Sequence, residues 1–221
     1  MLAQGRVIVD GEVARDIQQI IHQFSRVSVD GVILQDNQPC YIMLNKPAGV
    51  VSATKDKQHK TVIDLIDPAN GVEREFLHIA GRLDFNSTGL LLLTNDGRWS
   101  KNLSLPENNV KKSYRVELEN PITENYIEAF AQGFYFEYED ITTRPAELRI
   151  VSERVVEVDI TDGRYHQIKR MFGRFQNKVL ALHRYAVGNL QLDPALEPGE
   201  YRELGSDEIT TISDTISINT T

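Results

Sequence analysis

Apolar and polar residues alternate along several short stretches of the chain. Tyr114, Val116 and Leu118 share one parity while Arg115, Glu117 and Glu119 take the other, the period-two signature of a strand with one buried face. Similar alternation or unbroken apolar runs predict strands at residues 40–44, 76–80, 90–94, 112–119, 146–151, 155–160 and 179–187. The run from Leu90 to Leu93 is apolar on both faces and belongs at the centre of a sheet. Helical spacing predicts helices at residues 62–66, 98–103, 124–132 and 165–175. Strands and helices mix without a βαβ rhythm, which predicts an α+β domain with a largely antiparallel, mixed β-sheet flanked by helices.

The first forty residues follow another pattern. RVIVDGEV at 6–13 is echoed by RVSVDGVI at 26–33, each a β-branched run closed by Asp-Gly, the signature of short strands and turns. Between them Ile17, Ile20, Ile21 and Phe24 recur at helical spacing and predict a helical turn. The expected organisation is a small module over residues 1–39, a main domain over 40–206 and a flexible tail over 207–221, since EITTISDTISINTT is polar and weakly patterned. LNKPAGVVSA at 44–53 reads as strand, Lys-Pro turn and strand.

Composition narrows the function classes. No run approaches the ~20 apolar residues of a membrane span, and MLAQGRVIVDGEV has no signal-peptide pattern. The expected location is the cytoplasm, with no membrane partner. One cysteine, Cys40, excludes an intramolecular disulfide and a Cys-rich zinc site. The net charge of −8 opposes a polyanionic partner when taken as a whole. Its distribution reverses that impression: Arg164, Lys169, Arg170, Arg174, Lys178 and Arg184 face one acid, Asp162, between residues 161 and 185. A basic island on an acidic body suits a locally docked polyanion.

Two segments carry candidate chemistry. In HIAGRLDFNSTGLLLLTNDG, residues 78–97, Asp84 lies on a short loop bracketed by Gly81 and Gly89, with Arg82 two residues away. A carboxylate anchored between buried strands beside a cation is a usable nucleophile or base; it can equally be an Asx-turn residue that closes a loop. In TDGRYHQIKRMFGRFQNK, residues 161–178, Ile168, Met171, Phe172 and Phe175 form an apolar helical stripe, and Gln167, Arg170 and Arg174 line the other face. That face is either a solvated surface or, with His166, His183 and Arg184, a phosphate-binding one. Tyr114 ends an inward row where an aromatic can stack on a base or simply fill the core. Lys46 is a catalytic candidate or part of a turn. No glycine-rich nucleotide loop, HExxH or GxSxG is present, which leaves cofactor-free carboxylate chemistry.

LNKPAG, GRLDFNSTGLLLLTNDG, KKSYRVELE and GRYHQIKRMF together resemble, in order, the RsuA group of pseudouridine synthases that act on ribosomal RNA. The resemblance spans residues 41–204, and DGRWS, GRYHQIKRM, LHR and PGEYREL are most similar to the enzymes that modify 16S ribosomal RNA. It implies Asp84 as catalytic aspartate, Arg82 as the arginine that helps flip the uridine and Tyr114 as the ring stacking on the base. It further implies Ile168 as an apolar neighbour and Lys169 as the cation paired with Asp84, where many relatives carry arginine. Arg164, His166, Gln167, Arg170, Arg174 and Arg184 complete the expected RNA-binding set, with no metal or organic cofactor. Residues 1–39 resemble the second half of an S4-type RNA-binding domain without its two leading helices. The implied substrate is uridine 516 of 16S ribosomal RNA in a small-subunit precursor, and the expected state is a monomer. The rivals are a large-subunit (23S) synthase, a noncatalytic RNA-binding module, and a nucleosidase using two carboxylates such as Asp84 and Asp96.

Overall fold

The computed structural model describes residues 1–67 and 72–218 of the 221. Two compact units emerge, Met1–Cys40 and Tyr41–Thr221.

The first unit is a four-stranded antiparallel sheet: β1 (Val7–Val9), β2 (Glu12–Val13), β3 (Val27–Val29) and β4 (Val32–Gln35), in the order β2-β1-β3-β4. Each half of the sequence echo is a hairpin rather than a single strand. Asp10 and Asp30 adopt φ near +50° and precede Gly11 and Gly31, also at positive φ, the backbone a tight two-residue hairpin turn demands. The helical turn expected around residues 17–24 is not formed. Ile17 and Ile20 are 86% and 74% exposed, so their spacing has no surface in this small unit to pack on. The Asp16 carboxylate instead accepts from Gln18 N at 2.8 Å, a local turn that competes with helix.

In the second unit, nine strands among the described residues form one sheet. They are β5 (Tyr41–Lys46), β6 (His78–Ala80), β7 (Thr88–Thr94), β8 (Lys112–Leu118), β11 (Glu147–Ser152), β12 (Val155–Ile160), β13 (Val179–Val187), β14 (Leu190–Gln191) and β15 (Tyr201–Glu203); β9 (Tyr135–Phe136) and β10 (Ile141–Thr142) make a separate hairpin. The main path runs β11-β12-β8-β13-β7-β5-β15, antiparallel throughout except for the parallel β13–β7 pair. Helices α1 (Gly97–Ser104), α2 (Asn125–Gln132), α3 (Gln167–Gly173) and α4 (Ser206–Ile218) flank it. Leu90, Leu91, Leu92 and Leu93 are fully buried on β7, as a central strand requires.

Two expectations need correction here. Residues 50–53 form no strand; Val51 makes only an isolated bridge to Thr61. The polar C-terminal stretch is helical to Ile218, with residues 219–221 outside the described set. Ile212 is fully buried and Ile209 packs beside it in the Trp99 and Leu103 cluster, while Glu208 accepts from Gly205 N and pairs with Arg202. Tertiary burial overrides the weak helix propensity of its Thr and Ile residues.

Candidate active site

The site begins where pairing along β7 changes partner. Thr88 and Gly89 pair with β13, whereas Leu92, Leu93 and Thr94 pair with β6 on the same edge. The sheet splits between them, and Arg184 fills the split. Its guanidinium donates to the carbonyl oxygens of Leu90 at 2.8 Å, Gly81 at 3.1 Å and Arg82 at 3.4 Å. Charge-assisted bonds of this kind tie strand β7 to the base of the loop. Arg184 is 1% exposed and lines the candidate cavity while it holds the base of the loop that carries Asp84.

That loop is clamped elsewhere by residues from the 44–53 segment. Lys46 Nζ, fully buried, donates to the carbonyls of Pro47 (2.9 Å), Phe85 (3.3 Å) and Ser87 (2.8 Å). Ser52 Oγ donates to Leu83 O at 2.7 Å and accepts from Leu83 N at 3.1 Å. Backbone flanking Asp84 is therefore fixed on both sides, which preorganises the carboxylate at the mouth of the core.

Asp84 meets its partners from α3. Lys169 Nζ lies 2.8 Å from Oδ2, and His166 Nε2 lies 3.4 Å from Oδ1. His166 takes a left-handed conformation at φ +50° just before the helix, which is uncommon for a non-glycine residue. A buried pair holds the turn: Gln167 Nε2 donates to Asp162 Oδ1 at 2.5 Å, and Gln167 Oε1 accepts from Arg164 N at 3.0 Å. Gln167 is 3% exposed. It braces the turn from within while also lining the candidate cavity.

The carboxylate opens onto a cavity of about 360 Å³ whose wall includes Arg82, Lys112, Tyr114, Ile168 and Lys169. The volume lies in the range of small-ligand pockets. Tyr114 and Ile168 are buried, Arg82 is exposed at the rim, and Tyr114 stands opposite Arg184 in the sheet register. Among the described residues, Asp84 is the only carboxylate on the wall. Asp96 is used elsewhere: its Oδ1 accepts from Arg98 N and Trp99 N at 3.0 Å as the cap of α1, and Oδ2 accepts from Tyr41 at 3.2 Å. A nucleosidase pair of Asp84 and Asp96 therefore has no second member in this cavity.

The basic island is less free than its charge count suggests. Arg170 forms a two-pronged pair with Glu139 at 2.6 and 2.7 Å and lies over the Phe136 ring. Arg174 donates to Tyr135 O at 2.7 Å. Arg170 is thereby paired and packed within the protein, while Arg164 and Arg174 are exposed.

Burial strips water from Lys46 and Lys112 and lowers both ammonium groups from 10.5 to about 8; Asp84 opposes the shift at Lys46, and Arg184 adds to it at both. Below about pH 8 both the folded and unfolded chains hold these protons, and the desolvation penalty falls on the folded state. Between about 8 and 10.5 the unfolded chain binds more protons, so stability rises with pH. The melting temperature should climb across that window, and Lys112→Met should flatten the climb. A flat wild-type profile would contradict the burial of these charges.

Residues 40–173 match the RNA pseudouridylate synthase family, and the chain belongs to that family. It is an RNA pseudouridine synthase, an isomerase. The chain is 49% identical to the ribosomal small subunit pseudouridine synthase A of Pseudomonas aeruginosa, over 96% of this chain and 91% of the relative. It is 41% identical to the protein of the same name from Escherichia coli, over 94% and 89% respectively. A solved structure described as a crystal structure of pseudouridylate synthase superposes with a TM-score of 0.75 at 39% identity, covering 96% of this chain and 90% of the other.

Sequence reasoning linked Asp84, Lys169 and Tyr114, and the structure brings all three to one cavity. It missed the Asp162–Gln167 brace and the buried role of Arg184, because neither a polar residue at helical spacing nor an arginine in a basic island signals an internal partner.

Proposed function

We propose that this chain converts one uridine of 16S ribosomal RNA, uridine 516, to pseudouridine. The proposed substrate is a small-subunit precursor, and the proposed enzyme is a cytoplasmic monomer. One observation carries the reading: a single carboxylate, ion-paired by Lys169 at 2.8 Å, faces a cavity walled by Tyr114. Similarity to two enzymes named ribosomal small subunit pseudouridine synthase A supports the choice of RNA.

The chemistry follows from what the residues can do. The target base leaves its stack at a cost of a few kcal/mol, offset by Tyr114 stacking on the uracil, Ile168 packing beside it and Arg82 entering the vacated space. Asp84 initiates cleavage of the C1′–N1 bond, by attack at C1′ or by removing the C2′ proton. The uracil turns without leaving, and C5 joins C1′ as the Asp84–C1′ ester bond breaks or, on the second route, as Asp84 returns the proton to C2′; C5 then loses its proton and N1 gains one, so the formula is unchanged. Lys169 at 2.8 Å and His166 at 3.4 Å hold the carboxylate in place in a site that bound RNA shields from water. Arg164 and Arg174 offer cations to phosphates; residues 1–39 act as an S4-like RNA-contacting module and residues 40–206 as the catalytic domain.

Carbodiimide labelling of 16S and 23S transcripts, read by primer extension, tests the assignment. One enzyme-dependent stop in 16S RNA is expected. A stop only in 23S RNA would move the assignment to the large subunit, and bound but unlabelled RNA would make the chain a noncatalytic binder. Substituting Tyr114 separates stacking from core packing. Tyr114→Phe should bind RNA within a few-fold of wild type, whereas Tyr114→Ala should lose the ~1–3 kcal/mol of base stacking. Equal affinities would make the ring only core.

A further inference from the structure

An acidic protein that binds RNA must present its free cations close to the substrate. In the 161–185 island, Arg170, Arg184 and Lys169 have internal partners. A second group of cations lies on the loop over residues 54–60, TKDKQHK, where every residue is exposed. The ammonium groups of Lys55, Lys57 and Lys60 make no ion pair or hydrogen bond among the described residues. The loop's one acid, Asp56, uses its Oδ1 on Gln58 N and His59 N, both at 2.8 Å, and lies 3.3 Å from the His59 ring. These bonds hold its carboxyl below the ordinary range. Asp64, which feels Lys60, is itself capped by the Thr61 N–H and hydroxyl.

The loop is tied to the Asp84 loop rather than swinging free. Val51 N donates to Lys60 O at 3.0 Å and closes its base. Ser52 bonds Leu83 in both directions, Gly49 N donates to Phe85 O at 2.9 Å, and the His59 ring meets the Phe85 ring edge-on at 5.1 Å. Phe85 follows Asp84 directly, so the His59 contact ties the lysine-bearing loop to the loop that carries Asp84.

We propose that the 54–60 loop is a second RNA-contact surface, on which Lys55, Lys57 and Lys60 grip backbone phosphates of the strand flanking the flipped uridine. The inference rests on the pseudouridine synthase reading and deepens it. The chemistry recognised is the phosphodiester backbone, so the loop contributes affinity and register without reading bases.

The test compares wild type with the triple variant K55Q/K57Q/K60Q, using 16S transcript as the probe across monovalent salt. Each lost phosphate contact on single-stranded RNA lowers the slope of log affinity against log salt by roughly 0.7, so the triple variant should lose about 2 from the slope. KM for RNA should rise about tenfold or more at low salt while kcat stays within about twofold, and K55R/K57R/K60R should restore both slope and KM. An unchanged slope and KM in the glutamine variant overturns the proposal. Failure of the wild type to modify any RNA would instead sink the underlying function, so the two failures are distinguishable.

Discussion

Replacing Asp84 with asparagine should abolish pseudouridine formation while leaving RNA affinity within a few-fold. The substitution keeps the size and polarity of the side chain, and the Lys46 and Ser52 clamps bind backbone flanking position 84 rather than its carboxylate. What is lost is the negative charge, and with it both attack at C1′ and removal of the C2′ proton. Removing one indispensable catalytic group in a cooperating set typically lowers kcat by roughly four to six orders of magnitude. Single-turnover conversion of 16S transcript is the measurement. Turnover at even a tenth of the wild-type rate would remove Asp84 from the chemistry.

The second large effect is expected from Gly89→Ala. Gly89 has φ +101°, and a Cβ there would lie 2.2 Å from the carbonyl oxygen of Arg184. The clash is with backbone, so no rotamer relieves it. The parallel β13–β7 pair would separate at the point where Arg184 reaches Leu90, Gly81 and Arg82. Overpacking and positive-φ strain together predict a loss of about 3–5 kcal/mol, and therefore a fall of ~6–20 °C in melting temperature for a chain of this size. Activity should fall further than stability at permissive temperature, because the Asp84 loop shares the displaced anchor. A melting temperature within about 2 °C of wild type would contradict the close approach.

Much of this architecture is legible in the pattern of residues, for identifiable reasons. Leu90 to Leu93 declares a central strand because only a strand covered on both faces tolerates four leucines in a row, and all four are buried. The Tyr114, Val116 and Leu118 row faces inward as its alternation requires. Asp84 stands out because it interrupts two apolar strands on a glycine-bracketed loop. Misreadings arose where local pattern and tertiary partner disagree. Ile17, Ile20 and Ile21 have helical spacing but no packing surface within their unit, while Ile209 and Ile212 sit in a polar sequence yet fit a pocket beside Trp99. Gln167 has the spacing of an exposed face and is pulled inward by Asp162. Arg184 counts as a surface charge in any sequence sum, and only the split in β7 pairing reveals the carbonyls that need it.

The central claim is that one carboxylate breaks and remakes a nucleoside bond while the base stays bound. Incubating the protein with 16S transcript labelled with tritium at uracil C5 tests it most directly. The account predicts one equivalent of tritium released to water per RNA chain, with all the uracil remaining attached to the polymer. Free uracil in solution, or bound RNA that retains all its tritium, would contradict it.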